Sequence, residues 1–142
     1  MTPIPGTTES RRLPAGVRRT AWIAWSAFLL AFAILEGVNH GPAAWAALAG
    51  GLIAPDLTFL AAAGAREPVR RGQLPRRAVR FYNAAHRTWI PLALACMYAL
   101  APLYAPTDAP ALFTFLLGWM LHIGVDRIAG YNLRDKDGFI RA

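Results

Sequence analysis

His122 and Asp126 stand four residues apart in "WMLHIGVDRIAGY", residues 119–131, so on a helix their side chains share one face. Imidazole nitrogen and carboxylate oxygen are ligands for zinc and other first-row divalent ions. An Asp–His pair can also work without metal, as a general base. Yet the segment ahead of the pair, Ala109 to Leu121, has no charged residue. A helix that is apolar all round belongs in lipid or in a large core. In lipid an Asp at a helix centre costs about 2.5–3.5 kcal/mol on insertion scales, which makes each ionisable residue there a candidate for function.

Other such residues are Glu36, Asp56, His86 and Arg87. At about 1.5 Å of helix rise per residue, Asp56 lies about 15 Å before Arg66, and His86 about 9 Å beyond Arg80. On the same measure His122 lies about 8 Å before Arg127, with Asp126 one turn shallower. Asp56, His86, His122 and Asp126, from three helices, can therefore converge as ligands of one divalent metal, zinc foremost. An open coordination position would then activate water for hydrolysis, with Asp56, His122 and Asp126 as the candidate catalytic groups. Asn83 lies three residues before His86 on the same face, as an orienting donor. Asn83, Arg87 and Arg127 are the candidate substrate contacts. Glu36 falls outside the group, near Asn39 and His40 at the far end of its helix. Interhelical glue is the alternative, at about 0.6 kcal/mol per hydrogen bond. His122 would then simply bond Asp56, and Asp126 would pair with Arg87 or Arg127. Arg87 can also snorkel to headgroups, and "DKDG" at 135–138 reads as a solvated turn rather than a calcium loop.

The elements that must position these groups follow from composition. Of 142 residues, 56% are apolar and 16% charged, against about 25% charged in soluble domains. Residues 20–35, 37–55, 88–107 and 109–125 carry no charge, and a membrane helix needs about 20 such residues. A soluble helical bundle would need polar stripes that "AWIAWSAFLLAFAIL" lacks. A cleaved signal peptide would leave no exported domain behind three further apolar runs. The expected fold is all-α: an integral membrane bundle with helices over about 20–38, 43–65, 81–104 and 109–130. Pro55 and Pro91 lie within helices two and three, where each should kink the helix. Fourteen of the fifteen basic residues fall in segments 1–19, 66–80 and 127–142. By the positive-inside rule, both termini and the arginine-rich connector 66–80 then face the cytoplasm. The connector suits anionic lipid, and nucleic acid is not an expected partner. Cys96 is the only cysteine, which excludes an internal disulfide and a thiolate metal cluster.

"APDLTFL" at 54–60, "FYNAAHRTWIPLAL" at 81–94 and "WMLHIGVDRIAGYNLR" at 119–134 occur in that order. Together they resemble an uncharacterised bacterial family of short four-helix membrane proteins that carries a domain-of-unknown-function label. Its pattern is roughly PDLS, then YNxxH followed by a Pro, then HIGxDRxxGYGLK. The resemblance implies the topology and marks Asp56, Asn83, His86, His122, Asp126 and Arg127 as signature positions. It implies no activity. The chain departs from the pattern at Asn132 and Arg134, and has "IRA" where members continue into Thr-His-Leu. A looser similarity, PD followed by HR and then H-x-x-x-D, is to membrane-bound metal-dependent hydrolases. The leading expectation is a small multi-pass protein of a bacterial inner membrane with a polar His/Asp site open to the cytoplasmic leaflet; its sharper form is metal-dependent hydrolysis of a lipid-like substrate. The alternative is a membrane scaffold or subunit, homo-oligomers included, docking through the small-residue runs "AALAGG" and "AAAG". A transporter or proton path would need an oligomer to enclose a route.

Overall fold

The computed structural model describes residues 14–101 and 109–141, and among them every regular element is helical. Arg11, Arg12 and most of the turn expected around "APTDAP" lie outside the described residues. Helix α1, Ala15–His40, ends at Gly41, whose φ of 74° lets the chain reverse directly into Pro42 at the start of α2, Pro42–Ile53. The α2 helix then tightens into a 3-10 stretch, Ala54–Ala62, with Pro55 at its start. Pro55 has no N–H for the α-helical ladder, so this is the irregularity expected there. The remaining helices are α3, Arg76–Ala85, α4, Trp89–Leu100, and α5, Pro110–Ala129.

Three segments are long and apolar enough to cross a membrane: Ala15–His40, Pro42–Ala62 and Pro110–Ala129. Only 22% of the apolar window of each of the first two is buried within the chain, against 44% for α5. The outward side of α1 is still apolar, with Phe28, Leu35 and Val38 all more than half exposed. A face of that kind suits lipid.

The third expected span, 81–104, is divided in two. Helix α3 starts five residues earlier and ends at Ala85, and α4 begins at Trp89. Pro91 explains the break: its ring would clash with the Arg87 carbonyl and it has no N–H to offer it. That carbonyl instead takes Ile90 N–H at 3.0 Å. Helix α3 is amphipathic, with Ala78, Val79, Tyr82 and Asn83 buried at helical spacing and Arg76, Arg77 and Arg80 outward.

Two apolar clusters hold the chain. Leu29, Ala33, Leu48, Ala95, Leu116, Leu117, Met120 and Leu121 join α1, α2, α4 and α5. Glycines set the approach: a methyl group on Gly51 would overlap the Phe115 carbonyl, and one on Gly118 the Leu48 carbonyl. The second cluster, Leu74, Ala78, Val79 and Tyr82, packs against Ala61 and Ala62. The tail doubles back at "DKDG" as a turn: Asp135 Oδ1 accepts the N–H groups of Asp137 and Phe139, both at 2.9 Å.

Candidate metal centre

His122 is carried by α5, one turn beyond Trp119, whose indole N–H donates to the Ala85 carbonyl at 2.6 Å and ties α5 to the end of α3. The His122 Nδ1 lies 2.8 Å from the Leu52 carbonyl. That carbonyl is open for a local reason. In the 3-10 turn its backbone partner would be the nitrogen of Pro55, which carries no hydrogen. His86 caps α3, and its Nδ1 lies 2.9 Å from the Tyr82 carbonyl. Its ring stacks on Tyr82, with centroids 3.9 Å apart and planes 18° apart.

A carbonyl oxygen can only accept, so each Nδ1 must hold the proton, and in the neutral rings each Nε2 presents a lone pair. The two Nε2 atoms are 3.3 Å apart. Asp126 Oδ2 lies 3.3 Å from His86 Nε2 and 3.8 Å from His122 Nε2. Asp56 Oδ1 lies 3.5 Å from His122 Nε2 and 3.8 Å from His86 Nε2. Two lone pairs and two carboxylates thus point at one small volume, an arrangement that a cation or a shared proton must stabilise. Donors at about 2.0–2.1 Å from a tetrahedral ion stand about 3.3–3.4 Å apart, close to the separations found. One donor atom each from Asp56, His86 and His122 lies within 4.8 Å of the others, so these three are close enough to hold a metal.

Burial differs among the four. His86 is wholly buried, His122 and Asp126 are partly buried, and the Asp56 side chain is 52% exposed. His86 sits in the break between α3 and α4. A cavity of about 300 Å³ adjoins the carboxylates, lined by Asp56, Phe59, Tyr82, Asp126, Tyr131 and Arg134.

Of the expected substrate contacts, Arg127 belongs to the site. Its guanidinium donates to the His86 carbonyl and to the Tyr131 carbonyl, both at 2.7 Å. Helix α5 ends just there, where Gly130 at φ 90° closes the helix and Tyr131 N–H returns to the Asp126 carbonyl. Arg87 is exposed in the break and lines a separate cleft. Asn83 is not brought to the cluster. Its Nδ2 donates to the Arg134 carbonyl at 2.9 Å and its Oδ1 accepts Arg134 N–H at 2.7 Å, so it clips the tail to α3. Glu36 stands apart, paired with His40 at 3.3 Å. Sequence reasoning missed Leu52 and Tyr82, which act through their carbonyls. Only Pro55 signalled either of them.

The fold and the cluster define a class: an all-helical protein built to cross a membrane, with a His/Asp site where its two cores meet. Residues 20–142 match the family model described as "Domain of unknown function (DUF4260)", and the chain belongs to that family. No curated protein and no solved structure matches it.

Proposed function

We propose that this protein holds one divalent transition-metal ion between His86, His122, Asp126 and Asp56, and hydrolyses a lipid-like substrate there. One observation carries the proposal: both imidazoles are fixed by carbonyls as Nδ1–H tautomers, and their Nε2 lone pairs face each other at 3.3 Å. Metal-binding histidines almost always donate the other ring N–H in this way, which orients the ring and raises its basicity. A nitrogen and oxygen donor set favours zinc over calcium or magnesium.

Asp56 is the donor that can yield its place, because it is the most exposed of the four and belongs to a 3-10 stretch rather than a regular helix. When bound, a divalent ion with an open position lowers the pKa of water and polarises an acyl or phosphoryl oxygen. Asp56, or Asp126 beside it, can receive the proton released, since both line the adjoining cavity. Arg127 holds the His86 backbone, and with it the ring, in position. The positive-inside rule supports an orientation with this end at the cytoplasmic face of a bacterial inner membrane, the arginines of 66–80 against anionic headgroups.

Of the small-residue runs behind the scaffold alternative, Gly51 of "AALAGG" packs inside the chain against Phe115 and Trp119, while Ala46 and Ala49 are exposed. Elemental analysis of tag-free protein purified in detergent without chelator tests the proposal. About one equivalent of zinc or a related ion is expected, lost in a His86→Ala/His122→Ala double variant. If neither protein carries or takes up metal, the four groups share a proton instead, and the proposal fails.

A further inference from the structure

A second cleft, of different chemistry, also reaches His86. It has a volume of about 490 Å³ and is lined by Arg18, Arg87, Arg127 and Arg141, with Thr88 and Asn132 between them and His86 at its edge. The four arginines come from α1, the α3–α4 break, α5 and the tail, so only the folded chain gathers them. No Asp or Glu lines the cleft. Among the described residues none of the four forms an ion pair with a carboxylate; the one Arg–carboxylate pair is Arg76–Asp137. Backbone carbonyls orient two of them without neutralising them. Arg127 is held by His86 and Tyr131, and Arg141 Nε donates to the Arg134 carbonyl at 2.9 Å. Helix α4 begins at this cleft, with Thr88 and Trp89 in its wall.

We infer that this cleft binds a phosphoryl group. Guanidinium forks match phosphate oxygens in pairs, and a dianion offsets the mutual repulsion of four cations. The same chemistry is offered by a phosphomonoester lipid headgroup and by free phosphate. Trp89, 62% exposed at the rim, suits the headgroup level of a bilayer. The inference deepens the hydrolytic proposal by giving its substrate class, and Arg127 and His86 belong to both sites. Binding itself requires no metal, so the two can fail separately.

The test is isothermal titration of tag-free full chain, stripped of metal by EDTA and then freed of EDTA. The probes are dihexanoyl phosphatidic acid, inorganic phosphate and, as a neutral control, dihexanoyl phosphatidylcholine. Phosphatidic acid is expected to bind, and Arg18→Gln or Arg87→Gln each to weaken it about tenfold, the loss of one charge-assisted hydrogen bond. A Lys136→Gln variant removes one exposed charge from the tail, outside the cleft, and should stay within twofold. Phosphatidic acid binding tenfold or more tighter than phosphate assigns the cleft to a lipid headgroup; equal binding assigns it to a soluble phosphoryl compound. The inference is overturned if no phosphoryl probe binds, if phosphatidylcholine binds equally, or if the Lys136 variant loses as much as the cleft variants. Phosphoryl binding in a protein that carries no metal leaves the cleft standing and removes the metal centre. A metal-loaded protein that binds no phosphoryl probe does the reverse.

Discussion

A His122→Asn substitution separates the two things that the His122 imidazole does. The Asn amide can still donate to the Leu52 carbonyl, now served by Nδ1 at 2.8 Å. It has no donor atom where Nε2 stands, 3.3–3.8 Å from the other three groups. In the wild-type protein, zinc at about 100 times its dissociation constant should stabilise the folded state by about 2.7 kcal/mol. For a chain of this size each kcal/mol moves Tm by about 2–4 °C, so zinc against EDTA should raise it by about 5–11 °C. A loss of about 100-fold in affinity leaves the variant half saturated at the same zinc, worth about 0.4 kcal/mol and a shift of about 1–2 °C. In EDTA the two proteins should melt within about 1 kcal/mol of each other, because the bond that holds α5 to α2 is kept. The assay is intrinsic-fluorescence melting of tag-free protein in detergent. His40→Ala is the control, since His40 is the one histidine of the three outside the site and pairs with Glu36. A wild-type protein indifferent to zinc, or a His122→Asn variant that keeps the full shift, refutes the reasoning.

Three further outcomes follow from the packing. Asn83→Ala strands the buried Arg134 N–H, while the Arg134 carbonyl keeps Arg141 Nε–H, and should cost about 1–3 kcal/mol; limited trypsin digestion should then cut at Arg134 and Lys136 first, with metal content unchanged. Gly51→Ala drives a methyl group into the Phe115 carbonyl and should cost about 1–3 kcal/mol. The same loss from Gly118→Ala should not add to it in the double variant, since both press on the α2–α5 contact. Pro55→Ala restores an N–H that competes for the Leu52 carbonyl, and should weaken metal binding by about 10–100-fold in a chelator competition.

Counting residues from the charged ends of apolar runs was enough to bring Asp56, His86, His122 and Asp126 to one depth, because helix rise is nearly constant. It failed for Asn83. Three residues from His86 is the right spacing for a shared face, but both polar ends of that amide pair with Arg134, 51 positions away. No local pattern records such a contact. The start of α3 was missed for a related reason: a run of arginines signals topology, and the buried stripe Ala78, Val79, Tyr82, Asn83 emerges only when the apolar members are counted apart from the charges. The basic cleft was equally hidden, since Arg18 and Arg127 meet only after α1 and α5 pack together.

What was legible but undervalued is the pair of prolines. Non-helical backbone at membrane depth is tolerated where it is buried in protein or lines a cavity, and here both irregularities meet the site. Pro55 tightens α2, which turns Asp56 toward the cluster and leaves the Leu52 carbonyl for His122. Pro91 forces the break after Ala85, which places His86 at a helix end and leaves its carbonyl for Arg127. Helix α5, with no proline after Pro110, supplies His122 and Asp126 from regular turns. Two broken helices therefore adapt to one regular helix, and each break donates a carbonyl that fixes a side chain of the site. An ionisable residue directly after a mid-helix proline, or five before one, is then a stronger signal than the i, i+4 pair alone, because the proline accounts for both the side chain's position and its backbone partner.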